Sequence, residues 1–409
     1  MLRQKDKYIP RFIEKALKNS LKYFPALALS GPRQSGKSTL VKHIFSKTHT
    51  FISFDDPVTR EMAISDPRLF LETCGEKIIL DEIQYVPELL AYIKILIDNR
   101  RQKMGRFVIT GSQQFNLIKN IGDTLAGRIA LFDLLPFSIE EKGEVSFLSK
   151  ILSSAEGCFI HSCLRGSFPE VTIQANIDAR TWYGSYLQTY LERDIRTIYD
   201  VGILREFQQF LRLLAARTAQ ILNLSSLASD LGVSVNTIKK WLSILEASRI
   251  VYLLAPYYRN LGKRISKSPK IYFLDLGLTC YLTGISNKES LLGGPLSGAL
   301  FENFIIQETL KYFFNRGISP NLFYLRTHNN LEIDLIIENN LELYPFEIKL
   351  TKTPNIRMAD SIERCKKIFS KLKINTGRII SLAQNDINLT KNVSVMGLNS
   401  YLRYLKRFI

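Results

Sequence analysis

The chain has few of the features that staple secreted proteins or span membranes. Five cysteines (Cys74, Cys158, Cys163, Cys280, Cys365) are spread over 409 residues, with no C-x-x-C pair. That spacing argues against structural zinc and a disulfide framework, and for a reducing compartment, the cytoplasm. Cys158, His161 and Cys163 stand close together and read as helix packing. No run of about eighteen uncharged apolar residues occurs, so no membrane-spanning helix is expected. The first residues, Met1-Leu2-Arg3-Gln4-Lys5-Asp6-Lys7, lack the apolar centre of a secretory signal. Acid is scarce relative to base: 38 Asp and Glu against 55 Lys and Arg leave a net charge of +17. Such an excess points to an anionic partner, nucleic acid first and a membrane surface second. Hydrophobic residues make up 46%, too many for a disordered chain, and the length allows two or three domains.

What is present begins at Gly31-Pro32-Arg33-Gln34-Ser35-Gly36-Lys37-Ser38-Thr39, which matches the phosphate-binding loop G-x-x-x-x-G-K-[ST]. Gly31 and Gly36 let backbone N–H groups close on phosphate oxygens without a Cβ in the way. Lys37 can reach the terminal phosphates of ATP, and the Ser38 hydroxyl can ligate Mg²⁺. Ala26 to Leu29 reads as a buried strand, and Ser38 to Phe45 as a helix whose N-terminus attracts phosphate. Thr50 to Asp55 alternates like a strand, and Asp56 to Cys74 is helical with a break near Pro67. Lys77-Ile78-Ile79-Leu80-Asp81-Glu82 is an apolar strand ending in two acids. Asp81 suits the Mg²⁺ shell and Glu82 the polarisation of an attacking water. Pro87 to Asn99 is an amphipathic helix, Arg106 to Ser112 a strand with a polar end, and Ala126 to Phe132 a further strand. Ligands of a parallel sheet bind at the carboxyl ends of its strands. That puts Thr110 or Ser112, with Ser112 preferred, beside the terminal phosphate; either could instead cap the next helix.

The blocks G-P-R-Q-x-G-K-[ST]-T-L, L-D-E-I-Q, T-G-S and L-A-G-R occur in order at Gly31 to Leu40, Leu80 to Gln84, Thr110 to Ser112 and Leu125 to Arg128. A strand intervenes between the loop and the acidic strand, as in the additional-strand class of P-loop ATPases. This half resembles the AAA+ superfamily, and within it a prokaryotic ATPase family with these four blocks. The resemblance implies ATP and Mg²⁺ as ligands, ATP hydrolysis as the activity, and a ring or other homo-oligomer. Arg33 and Arg128 are candidates for phosphate contact or for ordinary salt bridges.

Ser138 to Gly202 reads as mostly helical, with Arg193 and Arg196 on a polar face. Ser225 to Asp230 and Ser234 to Ala247, with Gly232 between, read as a helix-turn-helix. Ala228 allows close packing, and Asn236, Lys239 and Lys240 point outward. Ile250 to Leu254 and Lys270 to Leu274 read as wing strands, joined by a loop carrying Arg259, Lys263, Arg264 and Lys267. A winged helix with this charge suits a phosphate backbone, though the same fold also serves protein contacts. The run Lys267 to Leu278 resembles the C-terminal region, DUF4143, that accompanies this ATPase family.

Beyond Gly298, a helix carries Glu302, and three strands follow: Leu322 to Arg326, Glu332 to Ile337 and Leu343 to Lys349. Asp334 followed by Glu347-x-Lys349, with Glu302 upstream, resembles the active site of the restriction-endonuclease-like fold, PD-(D/E)XK. Asp334 and Glu347 can share a Mg²⁺ that polarises a phosphodiester, with Glu302 as a third ligand implied by the resemblance alone. Lys349 projects from the same strand face as Glu347 and can orient water or stabilise charge. A helix from Ser361 to Phe369 and a strand from Arg378 to Leu382 would complete the layer.

The fold class expected is α/β: a P-loop AAA+ parallel-sheet domain (1–137), a helical region (138–204), a winged-helix segment (205–290), and an α/β restriction-endonuclease-like domain (291–409). The function expected is an ATP-hydrolysing protein acting on DNA, with Mg²⁺-dependent nuclease-like chemistry at its C-terminal end. The alternative is a nucleotide-dependent switch that binds protein partners and keeps an inactive nuclease fold.

Overall fold

The computed structural model describes residues 8–111, 124–191, 204–258, 268–327 and 331–409. Ser112, Arg193, Arg196, Arg259, Lys263, Arg264 and Lys267 lie outside the described residues.

The first third is built on a parallel sheet. Helix α1 (Glu14–Ser20) leads into β1 (Ala26–Ser30), the glycine-rich loop and α2 (Lys37–Phe45). Then come β2 (Thr50–Ser53), α3 (Pro57–Ser65), α4 (Pro67–Thr73), β3 (Ile78–Asp81), α5 (Leu89–Asn99), β4 (Phe107–Thr110) and β5 (Ile129–Asp133). The strand order is β2-β3-β4-β1-β5, with neighbours parallel throughout. β1, β3 and β4 are buried along their whole length, which is why they read as continuous apolar runs. The break at Pro67 has a physical cause. Asp66 caps α4 through the backbone N–H groups of Arg68 and Leu69, and Pro67 takes the first helical position, where a missing N–H is no loss. Because β4 lies between β1 and β3, the carboxyl ends of the loop strand, the polar-ended strand and the acidic strand stand side by side.

The middle of the chain opens with α6 (Ile139–Lys142), started by a capping box of Ser138 and Glu141. Helices α7 (Ala155–Leu164), α8 (Pro169–Ile173), α9 (Ala179–Tyr186) and α10 (Leu204–Ala216) follow. Helix α11 (Leu224–Leu231) ends at Gly232, whose φ is 65°, and α12 (Val235–Ala247) starts from the Ser234 cap. The helix pair thus falls close to the boundaries expected. Strands β6 (Val251–Leu254) and β7 (Lys270–Phe273) pair antiparallel. The expected division between residues 204 and 205 runs through a single core. Phe168, Tyr183 and Tyr186 pack in one cluster with Phe207, Phe210, Trp241 and Phe273. The rings of Phe168, which caps α8, and of Tyr183 and Tyr186 on α9 are too large to be covered by those two short helices, and α10 and α12 cover them.

Helices α13 (Leu276–Thr283), α14 (Lys288–Gly293) and α15 (Ser297–Phe314) lead into a second sheet. It contains β8 (Leu322–Arg326), β9 (Glu332–Asn339), β10 (Glu342–Ile348), β11 (Gly377–Ser381), β12 (Ile387–Asn388) and β13 (Val393–Gly397). Helix α16 (Asp360–Ile368) links β10 to β11, and α17 (Leu398–Tyr404) follows β13. The order is β12-β13-β11-β10-β9-β8; β8, β9 and β10 form an antiparallel meander, and β10, β11 and β13 run parallel. Helix α15 is enclosed on nearly every side, including Asn303, Gln307, Glu308 and Lys311. Its apolar residues share one core with α7, α13 and the inner face of this sheet. Buried polar groups need partners, and Asn303, Glu308 and Lys311 have them, so these three residues mark where α15 is fastened to its surroundings.

Candidate functional site

The glycine-rich loop is bent as its sequence requires. Gly31 has φ +146°, and a Cβ there would lie 2.2 Å from the Leu134 carbonyl oxygen. Gly36, at φ +93°, caps α2. Lys37 is 5% exposed, and its Nζ donates to the Gly31 and Pro32 carbonyls, each at 3.0 Å. Ser35 is fully buried, Arg33 and Gln34 are half-buried, and Thr39 is exposed at the mouth of the loop. Ser38 Oγ donates to Asp81 Oδ1 at 2.8 Å, and the Thr110 hydroxyl donates to the same oxygen. Burial raises the Asp81 pKa, and the two hydroxyls work against that rise. Glu82 sits at φ 59°, ψ 46°; its backbone N–H donates to Thr110 Oγ1 at 3.4 Å, and the Gln84 amide donates to its carboxylate.

The expected residues are thus gathered at one place: loop, Lys37, Ser38, Asp81 and Glu82. Thr110 takes its place beside Asp81, while Ser112 lies outside the described residues. Arg128 is not part of the group. It precedes β5, whose first residue pairs with Ala26 at the start of β1, the end opposite the loop. There its Nε and Nη2 hold the two Asp98 carboxylate oxygens at 2.7 and 3.1 Å. The bidentate salt bridge replaces the phosphate contact considered for it. Beside the loop a cavity of about 280 Å³ is lined by Tyr8, Ile9, Gly36, Thr39, Phe137 and Ile173, among others. The pairing of an apolar wall with the loop's N–H groups suits a flat base attached to phosphates.

A second polar group lies at the far end of the chain. Asp334 on β9 and Glu347 on β10 are 7% and 3% exposed. Asp334 Oδ2 accepts the Ile348 N–H at 2.8 Å and Lys349 Nζ at 3.2 Å; Lys349 also meets Glu347 Oε2 at 2.6 Å. Glu347 Oε1 is buried with no hydrogen-bond partner among the described residues. Burial, then Asp334, pushes the Glu347 pKa up to about 8, although Lys349 pulls the other way. Burial opposes the charge on Lys349, but Asp334 and Glu347 more than offset it and raise its pKa.

Glu302 hydrogen-bonds to other partners, although Asp334 acts on its charge. It accepts from Lys270 Nζ at 3.0 Å and the Tyr272 hydroxyl at 2.6 Å, and Lys270 also pairs with Glu332 at 2.6 Å. Burial, then Asp334, raises the Glu302 pKa to about 7. Among the described residues no three His, Cys, Asp or Glu side chains group closely enough to hold a metal. The three-carboxylate set of Asp334, Glu347 and Glu302 is therefore not assembled. The buried Lys270 and the half-buried Lys349 each bridge two carboxylates instead. What fits a cation is the pair Asp334 and Glu347, with the unpartnered Oε1 as its open acceptor. Lys270, Tyr272 and Glu332 were not anticipated. Lys270 and Tyr272 are two apart on β7 and share a face, a signal visible in the sequence only once their partner is known.

On α12, Asn236, Lys239 and Lys240 are exposed, as expected. No helix among the described residues is long and apolar enough to cross a membrane.

Residues 23–142 match a family model described as an AAA domain. Residues 158–289 match a domain of unknown function, DUF8612, and residues 297–401 another, DUF4143. The run Lys267 to Leu278 thus falls in the middle region and not in DUF4143. The chain is 32% identical over 343 residues to the uncharacterized protein Rv2008c of Mycobacterium tuberculosis, covering 83% of this chain and 74% of that protein. It is 25% identical over 416 residues to the uncharacterized protein MJ1544 of Methanocaldococcus jannaschii, covering 95% and 88%. Among solved structures, the Walker-type ATPase of Pyrococcus abyssi is 16% identical, covering 68% of this chain and 97% of that one, with a TM-score of 0.42. The RuvB Holliday junction branch migration motor of Thermotoga maritima is 18% identical, covering 59% and 88%, with a TM-score of 0.31. The AAA match makes the first third a P-loop ATPase domain, which binds and hydrolyses ATP.

Proposed function

This chain belongs to the family of the mycobacterial protein Rv2008c, and from that premise we propose an ATPase that acts on DNA, with a Mg²⁺-dependent nuclease-like site in its C-terminal part. In this reading the loop N–H groups and Lys37 hold the phosphates of ATP. Ser38 and Asp81 would hold Mg²⁺, which supplies charge neutralisation at the phosphates. Glu82 polarises the attacking water, and Thr110 fixes Asp81. The C-terminal part is read as a PD-(D/E)XK fold and the helix pair α11–α12 with β6–β7 as a winged helix. Asp334 and Glu347 would hold a divalent cation that polarises a phosphodiester, and Lys349 places a proton donor beside it.

One observation carries the nuclease reading: two buried carboxylates on neighbouring strands, one with an unpartnered oxygen, converge on a lysine. Burying two carboxylates together is costly, and Lys349 offsets that cost only in part, since the Glu347 pKa stays raised and its Oε1 has no hydrogen-bond partner among the described residues. The net charge of +17 and the exposed Asn236, Lys239 and Lys240 support DNA as the partner. A second reading is favoured by the absence of a three-ligand group among the described residues. It is a nucleotide-dependent switch that binds protein partners and retains the fold without the cleavage. Incubation with single-stranded, duplex and branched DNA in Mg²⁺ or Mn²⁺, with and without ATP, decides between them. Cleavage lost in Glu347→Gln supports the first reading; no cleavage of any substrate, with ATP hydrolysis intact, selects the switch.

A further inference from the structure

One helix reaches both candidate sites. Beneath the phosphate loop Arg11 is 5% exposed and fully engaged. Its Nη1 donates to the Ser35 carbonyl at 3.1 Å, Nη2 to the Leu135 carbonyl at 2.7 Å, and Nε to Glu141 Oε1 at 2.9 Å. Glu141 is wholly buried and also accepts the Phe12 N–H at 3.1 Å and the Ser138 N–H at 2.9 Å. Next to Ser138, the Ile139 N–H at the start of α6 donates to Glu308 Oε2 at 2.8 Å. Glu308 Oε1 is held by Lys311 at 3.0 Å, and Lys311 reaches Ser167 Oγ at 3.1 Å. Glu308 belongs to α15. Six residues earlier on the same helix, Glu302 accepts from Lys270 and Tyr272 beside the acidic site, close enough for Asp334 to act on its charge. Six residues correspond to about 9 Å of rise and about 240° of rotation, so one carboxylate faces α6 and the other faces β7. Asn303 fastens the helix to β7, accepting the Phe273 N–H at 2.8 Å and donating to the Phe273 carbonyl at 2.7 Å.

These groups are buried and hydrogen-bonded on both sides, so none can move alone without leaving a polar atom unpaired. A displacement of the Ser35 carbonyl as the loop closes on phosphate is transmitted to Arg11, to Glu141, and to the start of α6. We propose that α15 couples the two sites: nucleotide in the phosphate loop, and positive charge held at Asp334 and Glu347, alter each other's affinity by the same factor. Arg11 and Glu141 are positioning residues of the loop, and Glu308 carries their position to α15. The proposal rests on the reading of both sites given above.

A double-mutant cycle on nucleotide affinity tests it. Binding of fluorescent ADP in Mg²⁺ is measured for wild type, Glu347→Gln, Glu308→Gln and the double variant, with thermal melting of each to confirm folding. Glu347→Gln removes a carboxylate that would hold the cation on the far side of α15 and is expected to change ADP affinity roughly fivefold or more. In the Glu308→Gln background the same change should fall below about twofold. Arg11→Lys, which keeps the charge but loses the fork joining Ser35 to Glu141, gives a second background that should also suppress the effect. Additive effects across both cycles, or no effect of Glu347→Gln on ADP affinity, overturn the coupling. Mn²⁺ titration of wild type against Glu347→Gln, read by calorimetry, tests the acidic site separately. Equal Mn²⁺ binding there would remove the cation reading, while the ADP cycle still decides the coupling.

Discussion

Lys37 donates to two carbonyls of its own loop, so its ammonium is held inside the loop. Lys37→Ala is expected to abolish ATP binding while leaving the fold intact, at a cost of about 1–3 kcal/mol for the carbonyls left without their donor. Glu82→Gln should bind ATP normally and hydrolyse it at least about 100-fold more slowly, the usual scale of a lost general base; single-turnover hydrolysis at the wild-type rate would show the carboxylate is not used. At the acidic site the sign of the pH effect follows from burial. The Glu347 pKa is raised from 4.5 to about 8, so the folded state holds the proton more tightly than the unfolded state. That contribution is full below the unfolded value and is lost as pH rises through the folded one. Metal-free protein should therefore lose stability between about pH 5 and pH 8, and Glu347→Gln should flatten this slope. Urea denaturation in EDTA across that range measures it. A slope identical in both proteins would mean that Glu347 is ionised throughout.

Elements were legible in the sequence where a local pattern decides them. The glycine-rich loop, the apolar strand before Asp81, and the helix pair around Gly232 each carry their own signal of period, cap or turn. Strands β12 and β13 and helix α17 went unread. β12 is two exposed residues, and β13 is specified mainly by pairing with β11. The candidate sites were legible only as far as chain neighbours allowed. Glu347 and Lys349 sit two apart on one strand, but Lys270 meets Glu302 across 32 positions, and Arg11 meets Glu141 across 130. Of the two roles open to Arg128, the salt bridge is the one formed, and the motif did not say so because it does not show which end of a strand the residue belongs to. At the level of one element, α12 carries the prediction for nucleic acid. Lys239→Ala with Lys240→Ala should weaken duplex DNA binding and reduce the slope of log affinity against log salt by about one unit per lost phosphate contact. Neutralising Lys263, Arg264 and Lys267 should reduce it further. Fluorescence anisotropy over a salt series reads both; unchanged slopes would assign these residues to protein contacts.

The whole molecule is joined across the boundary expected at residue 137. The buried Arg11 belongs to the N-terminal stretch, and the carboxylate that balances it, Glu141, lies just beyond that boundary. Removing one partner of a buried ion pair costs about 3–5 kcal/mol, because the other charge is left without compensation, whereas replacing both by apolar residues is often near neutral. Arg11→Met and Glu141→Met should therefore each destabilise the full chain by roughly that amount in urea denaturation, and the double variant should cost clearly less than their sum. The same reasoning fixes the outcome of truncation. Residues 1–137 contain the whole parallel sheet, the loop and Asp81, yet they leave Arg11 facing no carboxylate and the Ser35 carbonyl held by an unbalanced cation. This fragment should not bind ADP. A fragment extended to residue 142 restores Glu141 but leaves the Ile139 N–H without Glu308, and should recover binding only in part. If residues 1–137 fold and bind ADP as tightly as the full chain, the buried pair is dispensable and the sheet is a self-sufficient ATPase. If binding returns only with the helices that follow, the nucleotide site is a property of the chain well beyond its AAA domain.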